Sequence, residues 1–388
     1  MPVNIPLAVP FLSGREWQYV KECLDTNWVS SAGKFVEKFE AVTAAYVGRK
    51  YGVACASGTA ALHVSLILAE VGPGDEVVMP ALTFIAPANA VRYTGAYPVF
   101  VDVDPGTWQM DVGKLAAFLQ KDCRQVKGAF VNRQTRRRIK AVLPVHVMGH
   151  PVDMDPLMKL ARQYGLAVIE DNAESLGADY KGRKVGRHGL FSCLSFNGNK
   201  VITCGGGGMI LTDSRKLADR ARYLTTQAKD DPVENIHGAI GFNYRLTNIQ
   251  AAMGVAQMEK LDEYVAKKRE IAAGYGQGLA DIAGITHQTQ AKGALSSFWL
   301  YTVLIDRKIY GMDSRALMKR LKAEGIETRP FWHPLHSQKI FKDCYSHGCP
   351  AAERVYRDAL SLPSSVGLTP QQQARVMNCI RAYSREQH

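Results

Sequence analysis

Apolar and polar positions along this chain follow two periods. In "SGREWQYVKECL", Trp17, Val20 and Leu24 recur at helical intervals, and Ser13 with Glu16 has the spacing of a capping box. The polar loop "DTNWVSSAGK" leads to a second predicted helix over roughly 34–46. Short β-rich runs then take turns with amphipathic stretches. "YGVACA", "EVVMP", "YPVFVDVD", "IKAVLPVHV" and "LAVIED" read as strands, and "TAALHVSLILAE" as a helix stopped by "GPGD". Strands this continuously apolar, separated by helices, predict an α/β fold with a mostly parallel central sheet covered on both faces. "FSCLSF" and "GMILT" add strands, and a long helical region starts near Thr247. The last third carries a clear strand, "FWLYTVLI", a short "ETRPFW" segment and helices from Ser314 and Pro370. Thr369, Pro370 and Gln372 form the start signal of the latter. The pattern predicts a large domain over residues 1–258, including the N-terminal segment, and a smaller C-terminal α/β domain over 259–388.

Composition narrows the function class. A chain of 388 residues, 46% hydrophobic and 22% charged, is an ordinary globular protein with room for such a pair of domains. The start, "MPVNIPLAVPFL", has no basic region before its apolar residues and does not read as a signal peptide. The apolar run "AALHVSLILAE" is far shorter than the roughly 20 residues that cross a bilayer, so no membrane association is expected. Eight cysteines without a CxxC pair point to reduced thiols in a cytoplasm, not to disulfides or a zinc site. The net charge of +12 invites a nucleic-acid reading. However, the basic residues are dispersed except for "NRQTRRRIK" at 132–140, which lacks interleaved aromatics and reads as a solvated loop. An anionic small substrate would profit from the same positive field, and no nucleic-acid partner is expected.

Three stretches have polar residues at strand ends. In "CASGTAAL" a strand turns through Ser57, Gly58 and Thr59 into a helix whose N-terminus suits a phosphate; a plain N-cap is the alternative. "LAVIEDNAE" ends a buried strand in Glu170 and Asp171, with Glu174 following. That is where open α/β sheets place ligand contacts, although a helix-capping Asp fits too. "SFNGNKVITCGGGGMI" sets Lys200 between an apolar stretch and Gly205–Gly208, with a backbone that can bend closely around a ligand. The order is not that of a Walker phosphate loop, and the glycines feed a strand, not a dinucleotide-binding helix. A lysine able to do Schiff-base chemistry must be partly desolvated. Pyridoxal phosphate needs all three features at once: a lysine for its aldehyde, a carboxylate for its ring nitrogen and a helix N-terminus for its phosphate. His188 reads as a loop residue.

The set "SGTAALH", "IEDNAESLGA", "SFNGNKVITCGGGGM" and "GFNYRLTNIQAA", in this order, resembles the DegT-like nucleotide-sugar aminotransferases, which are fold-type-I pyridoxal phosphate enzymes. "NWVSSAGKFVEKFE", "PVHVMGHPVDM" and "TRPFWHPLH" extend the resemblance nearly end to end. It implies Lys200 and Asp171 as catalytic residues, Asp171 pairing with the pyridinium. It also implies Gly58, Thr59 and Ser195 at the phosphate, Phe84 on the ring, and Asn243 reaching across a homodimer with shared sites. Glu174 departs from the Gln or His of many relatives beside the ring hydroxyl. An ionised carboxylate cannot donate there, so Glu174 must be protonated, rotated away or bonded elsewhere. Ser30, Lys229, Arg329 and His333 are candidate substrate contacts, with packing or surface roles as the alternative. The resemblance implies transfer from glutamate to C4 of a UDP-linked 4-keto-6-deoxy-N-acetylhexosamine, for surface-polysaccharide or other glycan sugars. The alternative is GDP-4-keto-6-deoxymannose, giving perosamine. Dehydratase relatives replace the lysine, and a non-catalytic homologue would not need Lys200 and Asp171 together.

Overall fold

Seven strands form the spine of the structure, a computed structural model that describes residues 4–231 and 233–385. They are β1 (Tyr51–Cys55), β2 (Asp75–Pro80), β3 (Tyr97–Val101), β4 (Arg138–Val142), β5 (Ala167–Asp171), β6 (Phe191–Ser195) and β7 (Gly208–Thr212). Their spatial order is β3-β2-β4-β5-β6-β7-β1, and β7 alone among these seven runs in the direction opposite to the rest. The mostly parallel α/β sheet expected from the apolar runs is therefore present. Every residue of β2 and β7 is buried, as a sheet covered on both faces requires. Because β1, β5 and β6 point the same way, Cys55, Asp171 and Ser195 finish at one edge, where ligands collect in such sheets. A hairpin of Cys123–Val126 and Ala129–Asn132, not foreseen from the pattern, extends the sheet beside β4.

The first helix departs from its predicted start and face. It spans Glu16–Asp25, and Arg15, not Ser13, occupies the N-cap without a side-chain bond. The Ser13 hydroxyl instead pairs with the Tyr264 hydroxyl at 3.0 Å. Glu16, Tyr19 and Cys23 are buried, whereas Trp17 and Leu24 are exposed. A polar seam decides the orientation: Gln257 Nε2 donates to Glu16 at 2.6 Å and the Tyr19 hydroxyl donates to Glu259 at 2.7 Å. The apolar period marked the face that this chain leaves uncovered.

The basic run is the expected solvated loop at 133–137, with Arg133 and Arg136 exposed, and its last residues enter β4. Arg138 opens β4 and forms a two-pronged bond to Asp75 at 2.8 and 2.9 Å, Arg137 lies 3.4 Å over the Tyr97 ring, and Lys140 reaches Glu70 at 3.0 Å. Much of the local positive charge is thus compensated within the fold.

Toward the C-terminus, Ile285–His287, Tyr301–Ile305, Ala359–Leu362 and Arg329–Pro330 form, in that order, an antiparallel sheet. Helices Ser314–Ala323 and Pro370–Arg385 belong to the same region, whose apolar cluster includes Tyr275, Val303, Leu317, Val376 and Ile380. Ile5 from the N-terminal segment joins that cluster. The Thr369 start signal is realised in both directions, at 3.0 and 3.2 Å with Gln372. All eight cysteines are free. Among the described residues, no helix is long and apolar enough to cross a membrane, and no cluster of metal-ligating side chains occurs.

Candidate functional site

A cavity of about 500 Å³ opens at the carboxyl edge of the sheet. Gly58, Thr59, Phe84, Asp171, Glu174, Ser195, Lys200 and Arg329 all line it. Three separate strand ends and the C-terminal sheet therefore converge on one space.

The floor begins with the turn after β1. Ser57 caps helix Gly58–Leu68 through Ala60 N–H at 3.1 Å, so the plain N-cap is real. It coexists with an anion-ready helix end, because the first helical N–H groups have no acceptor within the helix. Glycine at 58 allows the turn to lie against Ser195: an added Cβ would sit 2.8 Å from that residue's Cβ. The four glycines have a related use. A Cβ on Gly208 would lie 2.3 Å from the Ser57 carbonyl oxygen, so this part of the run permits close approach of β7 to the turn. Gly206 and Gly207 also line the cavity.

The two adjacent carboxylates of β5 have opposite fates. Burial alone would push the Glu170 carboxyl up, but His146 and His188 hold it well below the usual carboxylate range. It accepts from the backbone N–H groups of Gly186, His188 and Gly189 at 3.0, 2.8 and 2.7 Å, and lies 3.3 Å from His146 Nε2. Glu170 is thus fully engaged in structure. Asp171 points to the other face, into the cavity. One of its oxygens accepts the Ala173 N–H at 3.0 Å, a short local cap, and burial raises its pKa against the pull of that bond and of Lys200. A cation set against its other oxygen would favour the ionised form.

Lys200 Nζ lies 3.6 Å from Glu174 Oε1 and 4.1 Å from the centroid of the Trp299 ring. The other Glu174 oxygen accepts the Met148 N–H at 2.9 Å. Burial raises the Glu174 carboxyl to about 7, against the opposing charge of Lys200. Of the three options for this residue, bonding elsewhere is met by one oxygen and protonation near neutral pH by its environment.

Not every candidate gathers here. Ser30 is exposed in a loop whose carbonyl is held by the Asn248 N–H at 2.6 Å. Lys229 sits on an exposed hairpin and bonds Asn235 at 3.1 Å. His333 packs edge-on against Tyr356, and its Nδ1 lies 3.1 Å from the Ser337 hydroxyl. Asn243 is exposed and bridges Thr226. None of these four lines this cavity in the single chain. Conversely, Met148, Trp299, Trp332 and Glu327 line it without having been singled out from the sequence. Trp299 is the second residue of "FWLYTVLI", where the strand pattern masks it although the strand itself begins at Tyr301; Trp332 lies within "TRPFWHPLH" between the candidates Arg329 and His333.

The profile of the DegT/DnrJ/EryC1/StrS aminotransferase family matches residues 11–381. The GDP-perosamine synthase of Caulobacter vibrioides is 42% identical over 367 residues, 94% of each chain. EpsN of Bacillus subtilis, named as a candidate pyridoxal phosphate-dependent aminotransferase, is 39% identical over 98% of this chain and 96% of its own. The crystal structure of S. venezuelae DesV with a ketimine intermediate is 32% identical, with a TM-score of 0.85 over 98% of this chain and 99% of that one.

Proposed function

The chain belongs to the DegT/DnrJ/EryC1/StrS aminotransferase family, and from that premise we propose that it transfers the amino group of glutamate to C4 of GDP-4-keto-6-deoxymannose. The observation that carries the chemistry is the meeting, in one cavity, of Lys200, the buried Asp171 and a glycine-opened helix N-terminus. These three fit pyridoxal phosphate, the cofactor in the name of the EpsN relative. Bound here, it would supply an aldehyde carbon and an electron-accepting ring, which side chains lack. Lys200 would take the aldehyde, Asp171 the ring nitrogen, and Gly58, Thr59 and Ser195 the phosphate. Phe84, half exposed at the cavity wall, would cover the ring.

Asp171 acts by charge: its carboxylate favours a protonated nitrogen beside it. Lys200 Nζ, when free, takes a proton from one carbon and returns it to another as general base and then general acid. Glu174, as a neutral carboxylic acid, donates where an ionised carboxylate could not. Arg329 faces the cavity and suits an anionic group of either substrate. Asn243, Ser30 and Lys229 would serve the site of a second copy of the chain, which fits their absence from this cavity. His333 stays a packing residue in this reading. The division of the chain at 258/259 belongs to the same proposal.

The GDP-linked ketosugar is preferred to the UDP-linked N-acetylhexosamine because a GDP-perosamine synthase is 42% identical over nearly the whole chain. The test offers both ketosugars with glutamate and reads the products by mass. Faster amination of the GDP-linked substrate is expected; the reverse order would restore the UDP-linked reading. Borohydride reduction and peptide mapping should find the cofactor on Lys200, and attachment elsewhere would overturn the assignment.

A further inference from the structure

We propose that Trp299, held from behind by the buried Lys268, is a positioning residue that docks the Lys200 amine whenever that amine is free. The inference rests on the role given to Lys200 above.

The Trp299 side chain is tied down from several sides. Its indole N–H donates to the Asn199 carbonyl at 2.5 Å, so the ring is bonded to the backbone next to Lys200. The ring stacks on Trp332 with centroids 6.2 Å apart and planes 15° from parallel. The backbone carbonyl of Trp299 accepts from Lys268 Nζ at 3.0 Å, which fixes the main chain that carries the ring. The residue is 4% exposed, and its π face meets the Lys200 amine. An indole face attracts an ammonium but has no basic lone pair to take its proton. Glu174 on the other side can exchange one. Between the two, a freed amine keeps a fixed place, with Glu174 at 3.6 Å to take up its proton when Lys200 is to act as a base.

Lys268 is the less expected part. It lies in the helix Leu261–Gly278, fully buried, and its ammonium donates to two carbonyls, Trp299 at 3.0 Å and Ser364 at 2.8 Å. No carboxylate pairs with it among the described residues. Burial pushes its pKa down to about 7, whereas accepting carbonyls favour an ammonium over a neutral amine. An apolar side chain of similar length would fill the space without that conflict. What the ammonium adds is a clamp on two segments that meet at the cavity. Ser364 also accepts the Tyr301 N–H through its hydroxyl at 2.9 Å and donates its own N–H to Leu7, a cavity-lining residue, at 2.8 Å.

The experiment labels lysines in the cofactor-free protein with a small acylating reagent at fixed pH and maps them by mass. A docked ammonium is protected. Trp299→Leu is expected to raise the labelling rate of Lys200 about five- to thirtyfold, from the usual strength of such contacts. Trp299→Phe, which keeps a π face, should restore most of the protection. Lys268→Met should give a smaller rise, and adding it to Trp299→Leu should raise Lys200 labelling no further, since both act through one contact. Labelling of buried Lys268 in the Trp299 variants reports general loosening and should stay low. In the loaded enzyme, Trp299→Leu should lower kcat about tenfold with the ketosugar KM changed less than about threefold. Unchanged Lys200 labelling in Trp299→Leu, equal loosening at Lys268, or independent multiplying effects of the two substitutions would overturn the proposal. If Trp299→Leu does not fold, Trp299→Phe against Lys268→Met decides it: Lys268→Met must expose Lys200 more. Borohydride mapping of the wild-type holoenzyme is the separate control. Cofactor on another lysine would remove the proposed function while leaving the docking result to stand or fall by itself.

Discussion

Replacing Glu174 with glutamine removes a titration that the fold has to accommodate. Burial raises the Glu174 carboxyl from 4.5 to about 7, and the side chain is almost entirely out of solvent. A carboxyl with a raised pKa binds its proton more tightly in the folded state than in the unfolded one. The stability linked to that proton is therefore fully present below about pH 4.5 and lost as pH rises through about 7. The shift corresponds to about 3 kcal/mol across that window. Glu174→Gln keeps the shape and still accepts the Met148 N–H, but cannot ionise. The assay is urea unfolding of the cofactor-free protein between pH 5 and 8, at one protein concentration, for wild type and variant. Other groups titrate alike in both and cancel in the difference. Between pH 5 and pH 8 the stability difference should move in favour of the variant by about 2 to 3 kcal/mol, or up to about 1 M in urea midpoint for a chain this long. Activity should move the other way, because the wild-type acid can pass a proton and the amide cannot. Parallel pH curves for the two proteins would refute the reasoning.

Asp171→Asn should fold with a midpoint close to wild type yet lose at least about a hundredfold in kcat, measured with glutamate and the ketosugar; near-normal turnover would point to another acid. Mixing Lys200→Ala subunits with Asn243→Trp subunits should restore activity after exchange, because a shared site leaves one intact centre in each mixed dimer. Demonstrated exchange without recovery would place both residues in the same chain's site. Glu170→Gln should lower stability by about 3 kcal/mol or more in thermal or urea unfolding. The cause is its three backbone N–H donors and His146; a loss of only a few tenths would mean that the loop 186–189 has another anchor.

The sequence by itself determined the elements whose physics is local. Apolar runs such as "EVVMP" and "GMILT" declare buried strands, because a strand covered on both faces has no polar side to show. Asp171 and Lys200 were legible for the same reason: each is a charge beside an apolar strand or turn, where an unassigned charge is costly. Only the tertiary structure decided which side of the first helix faces inward. The choice rests on Gln257 and Glu259, more than 230 residues away, and not on the helix's own period. The separation of Glu170 from Asp171 was likewise decided by folding: adjacent strand residues face opposite ways, and the loop at 186–189 meets only one of them. The same holds for Trp299, brought over Lys200 from nearly a hundred residues downstream. Periodicity records what a segment buries, whereas a site is made of contacts between segments, and those distances exist only once the chain has folded.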